Sequence, residues 1–196
     1  MIDYIKGEIT ELNPTYAVIE TAGIGYFINI ALPVYSVLNG QKIGKLYVYE
    51  AIREDAHNLY GFINQSDRQL FLMLISVSGI GANTARMIMS SYAVPEIQQM
   101  IATGNAVALS SIKGIGAKTA QRIIVDLKDK IIKLNIVSDI DLPQQTVSGE
   151  LRDEAVSALV MLGFAANVSQ KAVDGILKSQ SDITVEQLIK LALKNI

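Results

Sequence analysis

The chain of 196 residues contains no cysteine, no tryptophan and a single histidine, His57. The absence of cysteine rules out a disulfide framework and fits a reducing compartment. Without a cysteine or histidine cluster the sequence offers no transition-metal site, and we expect His57 to be a strand-edge residue rather than a catalytic base. The longest apolar runs are too short to span a bilayer, and the acidic Asp3 argues against a secretory signal. These absences favour a cytoplasmic protein with no metal, no cofactor and no membrane association.

Charge is divided unevenly along the chain, although the net charge is only −2. Residues 1–63 have four Lys/Arg and seven Asp/Glu, residues 64–134 have eight and four, and residues 135–196 have five and eight. The middle segment therefore has a net charge of +4 between two segments of −3 each. A local basic excess of this kind favours a surface that binds nucleic acid, which the average charge conceals.

The hydrophobic pattern predicts a multidomain α+β protein. Residues 1–63 contain five short segments rich in Val, Ile and Tyr, which predict an OB-fold, the common type of small five-stranded β-barrel. Residues 64–134 change to helical spacing and predict an all-α domain without a convincing strand. Ser66 followed by Gln69 predicts a capping box at the start of the first helix of this domain.

The C-terminal part of the chain predicts a linker followed by a small domain. Residues 135–149 are polar, contain a proline and a glycine, and predict a flexible linker. Residues 150–196 predict a bundle of three short helices, in which Gly163 ends the first helix and Thr184 with Gln187 caps the last. A bundle of this size buries little surface, so we expect it to be only marginally stable.

The middle segment contains an internal repeat. The stretches 76–88 and 111–123 are identical at eight of thirteen positions when they are aligned at an offset of 35 residues. Each contains Gly-Ile-Gly followed by the start of an apolar helix, in the sequences "SGIGANTA" and "KGIGAKTA". Glycines on both sides of a buried isoleucine permit a tight turn whose backbone N–H groups can approach an anion, and the helix N-terminus that follows favours negative charge. We therefore expect each turn to bind phosphate without reading the bases.

Two basic residues favour phosphate binding over an ordinary helix–helix turn, which a single Gly-x-Gly would fit equally well. Lys118 lies at the start of the second helix, and Arg122 follows one turn later on the same face. A mononucleotide P-loop is excluded because no Gly-Lys-Ser/Thr follows at the required spacing. A Rossmann fingerprint would need a preceding strand, and the second turn follows a helical region.

These motifs and the order of the three segments resemble the RuvA family of Holliday-junction branch-migration proteins. The two glycine motifs are similar to tandem helix-hairpin-helix motifs, and "IREDAHNLYGF" (52–62) and "ALVMLGF" (158–164) are similar to that family in particular. The resemblance covers the whole chain. It implies a homotetramer, alone or with a second tetramer face to face, that holds a four-way DNA junction open and nearly flat during DNA recombination and repair, including the SOS response. The implied partners are RuvB, a hexameric ATPase motor, and the resolvase RuvC.

The resemblance implies no catalytic residue, since ATP hydrolysis resides in RuvB. It implies that both hairpins contact the DNA backbone. Asn83 stands where a lysine is frequent in such motifs, so we expect the first hairpin to depend on backbone amides and Arg86 and to contribute less salt-dependent affinity. The implied contacts are Gly79, Gly81, Asn83, Thr84 and Arg86 in the first hairpin, and Gly114, Gly116, Lys118, Thr119 and Arg122 in the second.

An acidic pin is implied at Glu54 and Asp55, in a turn between two predicted strands. From the residues alone, two carboxylates at this position also fit a solvated loop. Four such pairs around the centre of a tetramer would repel phosphates and guide separated strands outward. Arg53 beside them could attract a phosphate or balance the charge of the loop.

The resemblance also implies that the last domain binds the motor through Leu159, Leu162 and Phe164. For Leu159 and Leu162, a place in the core of the bundle is an equal alternative. Phe164 follows the capping glycine, so we expect it to be the better exposed anchor.

Two other function classes remain as alternatives. A general helix-hairpin-helix scaffold without junction preference would share the same motifs. A lesion-processing glycosylase could also contain such hairpins, whereas a metal-dependent nuclease would need more converging acids than the pair Glu54 and Asp55.

Overall fold

The computed structural model of the chain describes residues 1–138, 147–179 and 183–195. The chain divides into two units, Met1–Val137 and Ser138–Ile196. In the ranges that the structure describes, none of the helices combines the length and the apolar character that crossing a membrane requires.

The first unit begins with a closed five-stranded barrel, which confirms the predicted OB-fold. The order around the barrel is β1-β2-β3-β5-β4, with β4 paired back to β1. All neighbouring strands are antiparallel except β3 and β5. The strands are β1 (Tyr4–Asn13), β2 (Tyr16–Thr21), β3 (Ile24–Ile30), β4 (Ile43–Ile52) and β5 (His57–Phe62), and helix α1 (Leu32–Leu38) connects β3 to β4.

Alternating apolar side chains fill the barrel. In β2, for example, Ala17 and Ile19 are fully buried while Glu20 is exposed. The two-residue turn Ala22–Gly23 joins β2 to β3 with positive φ at both positions, which is the geometry of a tight hairpin. The other buried side chains of this core are Ile5, Ile28, Ile30, Val34, Leu38, Leu46, Val48 and Leu59.

Helices form the rest of this unit, as predicted. Helices α2 and α3 form a first helical hairpin and α5 and α6 a second, and the helices share a core that also includes Tyr60 and Phe62 of the barrel. The barrel and the hairpins are therefore packed against each other through a continuous apolar core. The helices are α2 (Gln65–Ser76), α3 (Ala82–Ser91), α4 (Val94–Ala102), α5 (Ala106–Ser110) and α6 (Ala117–Ser138).

The predicted cap of α2 is wrong. Asn64 is the N-cap, and its Oδ1 accepts from the backbone N–H of Asp67 at 2.8 Å. Ser66 instead donates its hydroxyl to the same oxygen at 2.7 Å. Both side chains are good capping residues, and the helix starts one residue before Ser66 because Asn64 takes the extended backbone conformation that an N-cap requires.

The second unit contains three helices within the described residues, α7 (Val147–Met161), α8 (Ala166–Ser179) and α9 (Val185–Asn195), as predicted. Thr184 and Gln187 cap α9 reciprocally, each accepting from the other's backbone N–H at 3.4 Å. Arg152 on α7 pairs with Asp174 on α8 through two hydrogen bonds of 2.5 and 3.0 Å. The core of the bundle consists of Ala155, Leu159, Val173, Ile176, Ile183, Leu188 and Ala192.

The linker predicted at 135–149 is only partly covered by the structure. Helix α6 continues to Ser138 and α7 begins at Val147. Residues 139–146, the middle of the predicted linker, lie outside the described residues.

Candidate nucleic-acid interface and partner surface

The two glycine turns have the same backbone conformation. Gly79 has φ +91° and Gly114 has φ +89°, both in a region that favours glycine. In each turn the isoleucine that follows donates its N–H to the carbonyl three residues earlier at 3.0 Å. Ile80 and Ile115 are then buried at 5% and 4% exposure, while the glycines on either side of them are exposed. The isoleucine therefore anchors the turn, and the glycine backbone lies at the surface.

A helix begins immediately after each turn. The first hydrogen bonds within the helices run from Ala85 to the Gly81 carbonyl at 3.0 Å and from Ala120 to the Gly116 carbonyl at 2.9 Å. The N–H groups before these positions have no acceptor within the helix. Both glycines are exposed, and a Cβ built on Gly81 or Gly116 would meet nothing within 4 Å, so the surface at these residues is open. Both turns can therefore present main-chain donors to an anion.

The two hairpins pack against each other reciprocally. Arg122 of the second hairpin donates through Nη1 to the carbonyl of Ser78 at 3.0 Å, next to Gly79. Met87 of the first hairpin lies against Gly114, where a Cβ would be 3.4 Å from its Cε. Met87 and Arg122 are equivalent at the repeat offset of 35, as are the two glycines, so the hairpins are related by an approximate two-fold rotation. The two glycine turns consequently lie side by side on the surface of one unit.

The second hairpin exposes cationic side chains around its turn. Lys118 is exposed on the first turn of α6, and Thr119 beside it is half-buried. Lys113, just before Gly114, is also exposed and was missed as a candidate, although it lies within the repeated motif. This side of the pair therefore combines main-chain donors with positive charge.

The first hairpin is directed largely toward the barrel. Asn83 is exposed, but its Oδ1 accepts from the hydroxyl of Tyr60 on β5 at 3.1 Å. Thr84 is half-buried. Arg86 donates through Nη1 to the carbonyl of Thr15 at 3.0 Å and to Oδ1 of Asn29 at 3.2 Å. The Arg86 guanidinium is therefore bound to barrel oxygens, and its expected role in phosphate binding at this turn stays a prediction.

The acidic pair lies at the predicted place. Glu54 and Asp55 are exposed in the turn between β4 and β5, which is closed by a hydrogen bond of 2.8 Å from the Arg53 N–H to the Ala56 carbonyl. An open cleft of about 380 Å³ is lined by Arg53 on one side and by Gly81 on the other. The end of β4, up to the residue before the acidic pair, and the first glycine turn therefore border the same cleft.

His57 is the first residue of β5 and is exposed, as expected for a strand-edge residue. Among the residues that the structure describes, no group of three or more His, Asp or Glu side chains is arranged to hold a metal ion.

The three residues predicted to bind the motor have different environments in the second unit. Leu159 is fully buried in the bundle, which agrees with the place in the core that we considered as the alternative to a partner contact. Phe164 is half-buried and packs against the same core, so it is not the exposed anchor that we expected. Leu162 is 61% exposed and Met161 is 87% exposed, and with Val160 at 42% they form a continuous apolar strip, residues 160–162. Val160 and Met161 follow Leu159 on other faces of α7, which ends at Met161, and Leu162 lies in the turn after the helix.

The comparisons with known proteins agree along the whole chain. Family models for the RuvA N terminal domain, a SAM-like helix-hairpin-helix tandem and the RuvA C-terminal domain match residues 1–61, 71–129 and 150–196. The chain is 53% identical to a Holliday junction branch migration complex subunit RuvA from Bacteroides thetaiotaomicron, over 100% of both chains. It is 54% identical to proteins of the same name from Bacteroides fragilis, over 100% of both chains, and Parabacteroides distasonis, over 99% of both. The chain therefore belongs to the RuvA family.

Proposed function

We propose that this chain is the junction-binding subunit of a branch-migration complex. It binds four-way DNA junctions through sequence-independent contacts to the backbone and acts together with the ATPase motor RuvB. The observation that carries the proposal is the pair of glycine turns, which have the same φ angles and lie next to each other on the surface. Membership of the RuvA family supports it independently.

The contact with DNA depends mainly on the backbone of the protein. The exposed amides at Gly81 and Gly116 approach phosphate oxygens, and the helix N-termini behind them favour the negative charge. Lys118 and Arg122 add positive charge at one side of the pair. Because phosphates are the same at every base pair, the interface holds the junction at any sequence, as a protein on moving DNA must.

The acidic turn lies at the centre of the assembly in this proposal. Four copies of the chain form a tetramer on the junction, and the exposed pair Glu54 and Asp55 of each copy repels phosphates at the crossover. A repulsion of about 1 kcal/mol for each close charge pair in water is enough to disfavour pairing at the centre. The strands then separate there and pass into the neighbouring arms.

The exposed strip at residues 160–162 is the contact with RuvB in this proposal. An apolar strip on a small helical bundle is unfavourable in water and is characteristic of a partner surface. ATP is hydrolysed by RuvB, and the chain itself serves as a non-catalytic DNA-binding subunit. RuvC then acts on a junction that is already open.

A pair of leucine variants separates the stability of the bundle from its binding surface. Leu159→Ala should lower the stability of the second unit by about 2–5 kcal/mol, because it leaves a cavity in the core. Leu162→Ala should leave the unfolding midpoint unchanged and weaken binding of RuvB. Thermal unfolding and a RuvB binding titration on both variants measure these effects. Unchanged RuvB binding by Leu162→Ala at full folding would place the motor contact elsewhere.

Competition for DNA tests the main proposal. In mobility shifts with a four-way junction and linear duplex of equal length, the junction should be bound more tightly at every salt concentration. Equal affinity would instead favour a general helix-hairpin-helix scaffold without junction preference. Measurement of the particle mass on the junction decides between one tetramer and two.

A further inference from the structure

We propose that Arg86 is a positioning residue that fixes the first hairpin on the barrel, and that it is not a phosphate ligand. Through this attachment the first glycine turn and the acidic turn keep a constant separation. The inference rests on the proposed function, since it concerns how the same chain recognises a junction.

The contacts of Arg86 tie helix α3 to three parts of the barrel. Nη1 donates to the carbonyl of Thr15, between β1 and β2, and to Oδ1 of Asn29 on β3. Asn29 in turn donates through Nδ2 to the carbonyl of Leu59 on β5 at 3.1 Å. A guanidinium suits this place because it is always charged and has several donors in a rigid plane, so it can satisfy two acceptors at once.

Two more hydrogen bonds hold the same face of α3. Asn83 accepts from Tyr60 on β5 at 3.1 Å, and the hydroxyl of Ser90 accepts from the N–H of Leu32 at 3.2 Å. Residues 83, 86 and 90 are spaced by three and four, so they lie along one face of the helix. Contacts along α3 therefore attach it to the barrel at Asn83 and Arg86 and to α1 at Ser90, and Arg86 makes the central contact.

The second hairpin differs at the equivalent position. The residue that corresponds to Arg86 at the repeat offset is Gln121, which is exposed on α6. The first hairpin therefore connects the DNA-binding turns to the barrel. The β4–β5 turn of the barrel contains Glu54 and Asp55. Movement of α3 on the barrel would change the separation between the glycine turn, which attracts phosphate, and the acidic turn, which repels it. A four-way junction requires both at fixed positions, whereas a single duplex arm requires only the glycine turns.

The first test compares Arg86→Met with the parent chain on junction and on linear duplex over a range of salt concentrations. We expect junction affinity to fall about tenfold, because a charged donor with two acceptors is removed. Duplex affinity and its salt slope should stay unchanged. A phosphate ligand would behave differently, since its removal lowers the log–log slope by about 0.9 for each phosphate released. A reduced slope, or an unchanged junction preference, would overturn the proposal.

Two further substitutions at this contact check the cause. Arg86→Lys keeps the charge and one donor, so it should recover part of the junction preference. Asn29→Ala removes an acceptor on the barrel, at a residue that is not itself a proposed DNA contact, and should reduce junction affinity in the same direction. The double variant of Arg86→Met and Asn29→Ala should lose no more than Arg86→Met alone, because the two residues act through one contact. Additive losses would contradict this shared role, and Asn29→Ala provides the test even if Arg86→Met fails to fold.

Two controls separate this inference from the proposed function. Gln121→Met, the equivalent change in the second hairpin, should leave the junction preference unaltered. Lys118→Ala should lower the salt slope on every DNA. If the parent chain itself shows no junction preference, the proposed function fails, and the position of α3 is then tested without DNA.

A distance measurement gives that test. The chain has no native cysteine, so spin labels can be attached at Lys42→Cys on the barrel and Ser91→Cys at the end of α3, both exposed positions. Dilution with unlabelled chain removes distances between subunits. The parent should show one narrow distance distribution and Arg86→Met a broader one, and an unchanged distribution would show that Arg86 does not position the hairpin.

Discussion

The two helical hairpins share a backbone and differ in what their side chains contact. Gly79 and Gly114 have φ angles within 2° of each other. Yet Arg86 of the first hairpin is bound to the barrel, whereas Gln121 at the equivalent position is exposed. The comparison shows that a repeated sequence predicts a repeated turn, while the residues that differ between the copies adapt each copy to its surroundings.

The two hairpins also differ in the positive charge that they expose. The side-chain oxygen of Asn83 accepts a hydrogen bond from the hydroxyl of Tyr60, whereas Lys118 at the equivalent position is exposed. Arg68, another arginine of the basic middle segment, also faces the barrel, where it contacts the carbonyls of Asp3 and Val48. The basic excess therefore includes two arginines that attach the hairpins to the barrel, and the exposed charge near the turns belongs mainly to the second hairpin.

Among the substitutions that compare the two hairpins, the largest effect is expected from the glycines with positive φ. Gly79→Ala and Gly114→Ala should each lower the free energy of unfolding by about 1–2 kcal/mol, because an L side chain is strained in that conformation. Gly116→Ala is the matched control, since its φ is not positive and a Cβ meets nothing within 4 Å. Urea denaturation of the three variants measures the difference. Unequal losses at Gly79 and Gly114 would break the equivalence of the two turns.

A smaller effect on DNA binding should distinguish the two hairpins. Lys118→Ala should lower affinity about fivefold near 0.15 M salt and reduce the log–log slope by about 0.9 for each phosphate that the lysine neutralises. Asn83→Ala should leave that slope unchanged because the asparagine has no charge. Fluorescence titrations on duplexes of several sequences provide the measurement. A reduction for Lys118→Ala that depends on base sequence would contradict binding to the backbone alone.

The smallest effect is expected where the hairpins meet. Met87 of the first hairpin is equivalent to Arg122 of the second. Arg122→Met therefore makes the two positions identical and removes the hydrogen bond to the Ser78 carbonyl. Because Arg122 is exposed, stability should fall by only about 0.5 kcal/mol. Thermal unfolding of Arg122→Met beside Arg122→Lys sharpens the comparison, and a decrease several times larger would mean that this bond is a main support of the pair.

Local chemistry explains what could be predicted from the sequence. The turns at Gly79 and Gly114 were predictable because glycine, a buried isoleucine and a helix start determine a turn within a few residues. The barrel was predictable from five short segments rich in Val, Ile and Tyr. The cap of α2 was not, because Asn64 and Ser66 are both good capping residues and the backbone conformation decides between them.

Contacts between distant residues account for the rest. Arg86 resembles a phosphate ligand in sequence, and its acceptor at Thr15 lies 71 residues away in the chain. A contact between residues so far apart in the chain cannot be predicted from the sequence around either of them. Leu159 lies on α7 and Leu162 in the turn directly after it, and only the packing of the bundle shows that Leu159 faces inward. In each case the tertiary fold decided between two roles that the residue type allowed.

The glycine turns have an evolutionary consequence on the proposed function. A ligand supplied by a peptide N–H cannot be deleted by exchanging one side chain for another, except through proline or a change of backbone conformation. The two copies differ at five of thirteen aligned positions and retain one backbone geometry. On the proposed function, the side chains around such a turn can therefore differ between the copies, as Arg86 and Gln121 do, without loss of the main-chain contacts to DNA.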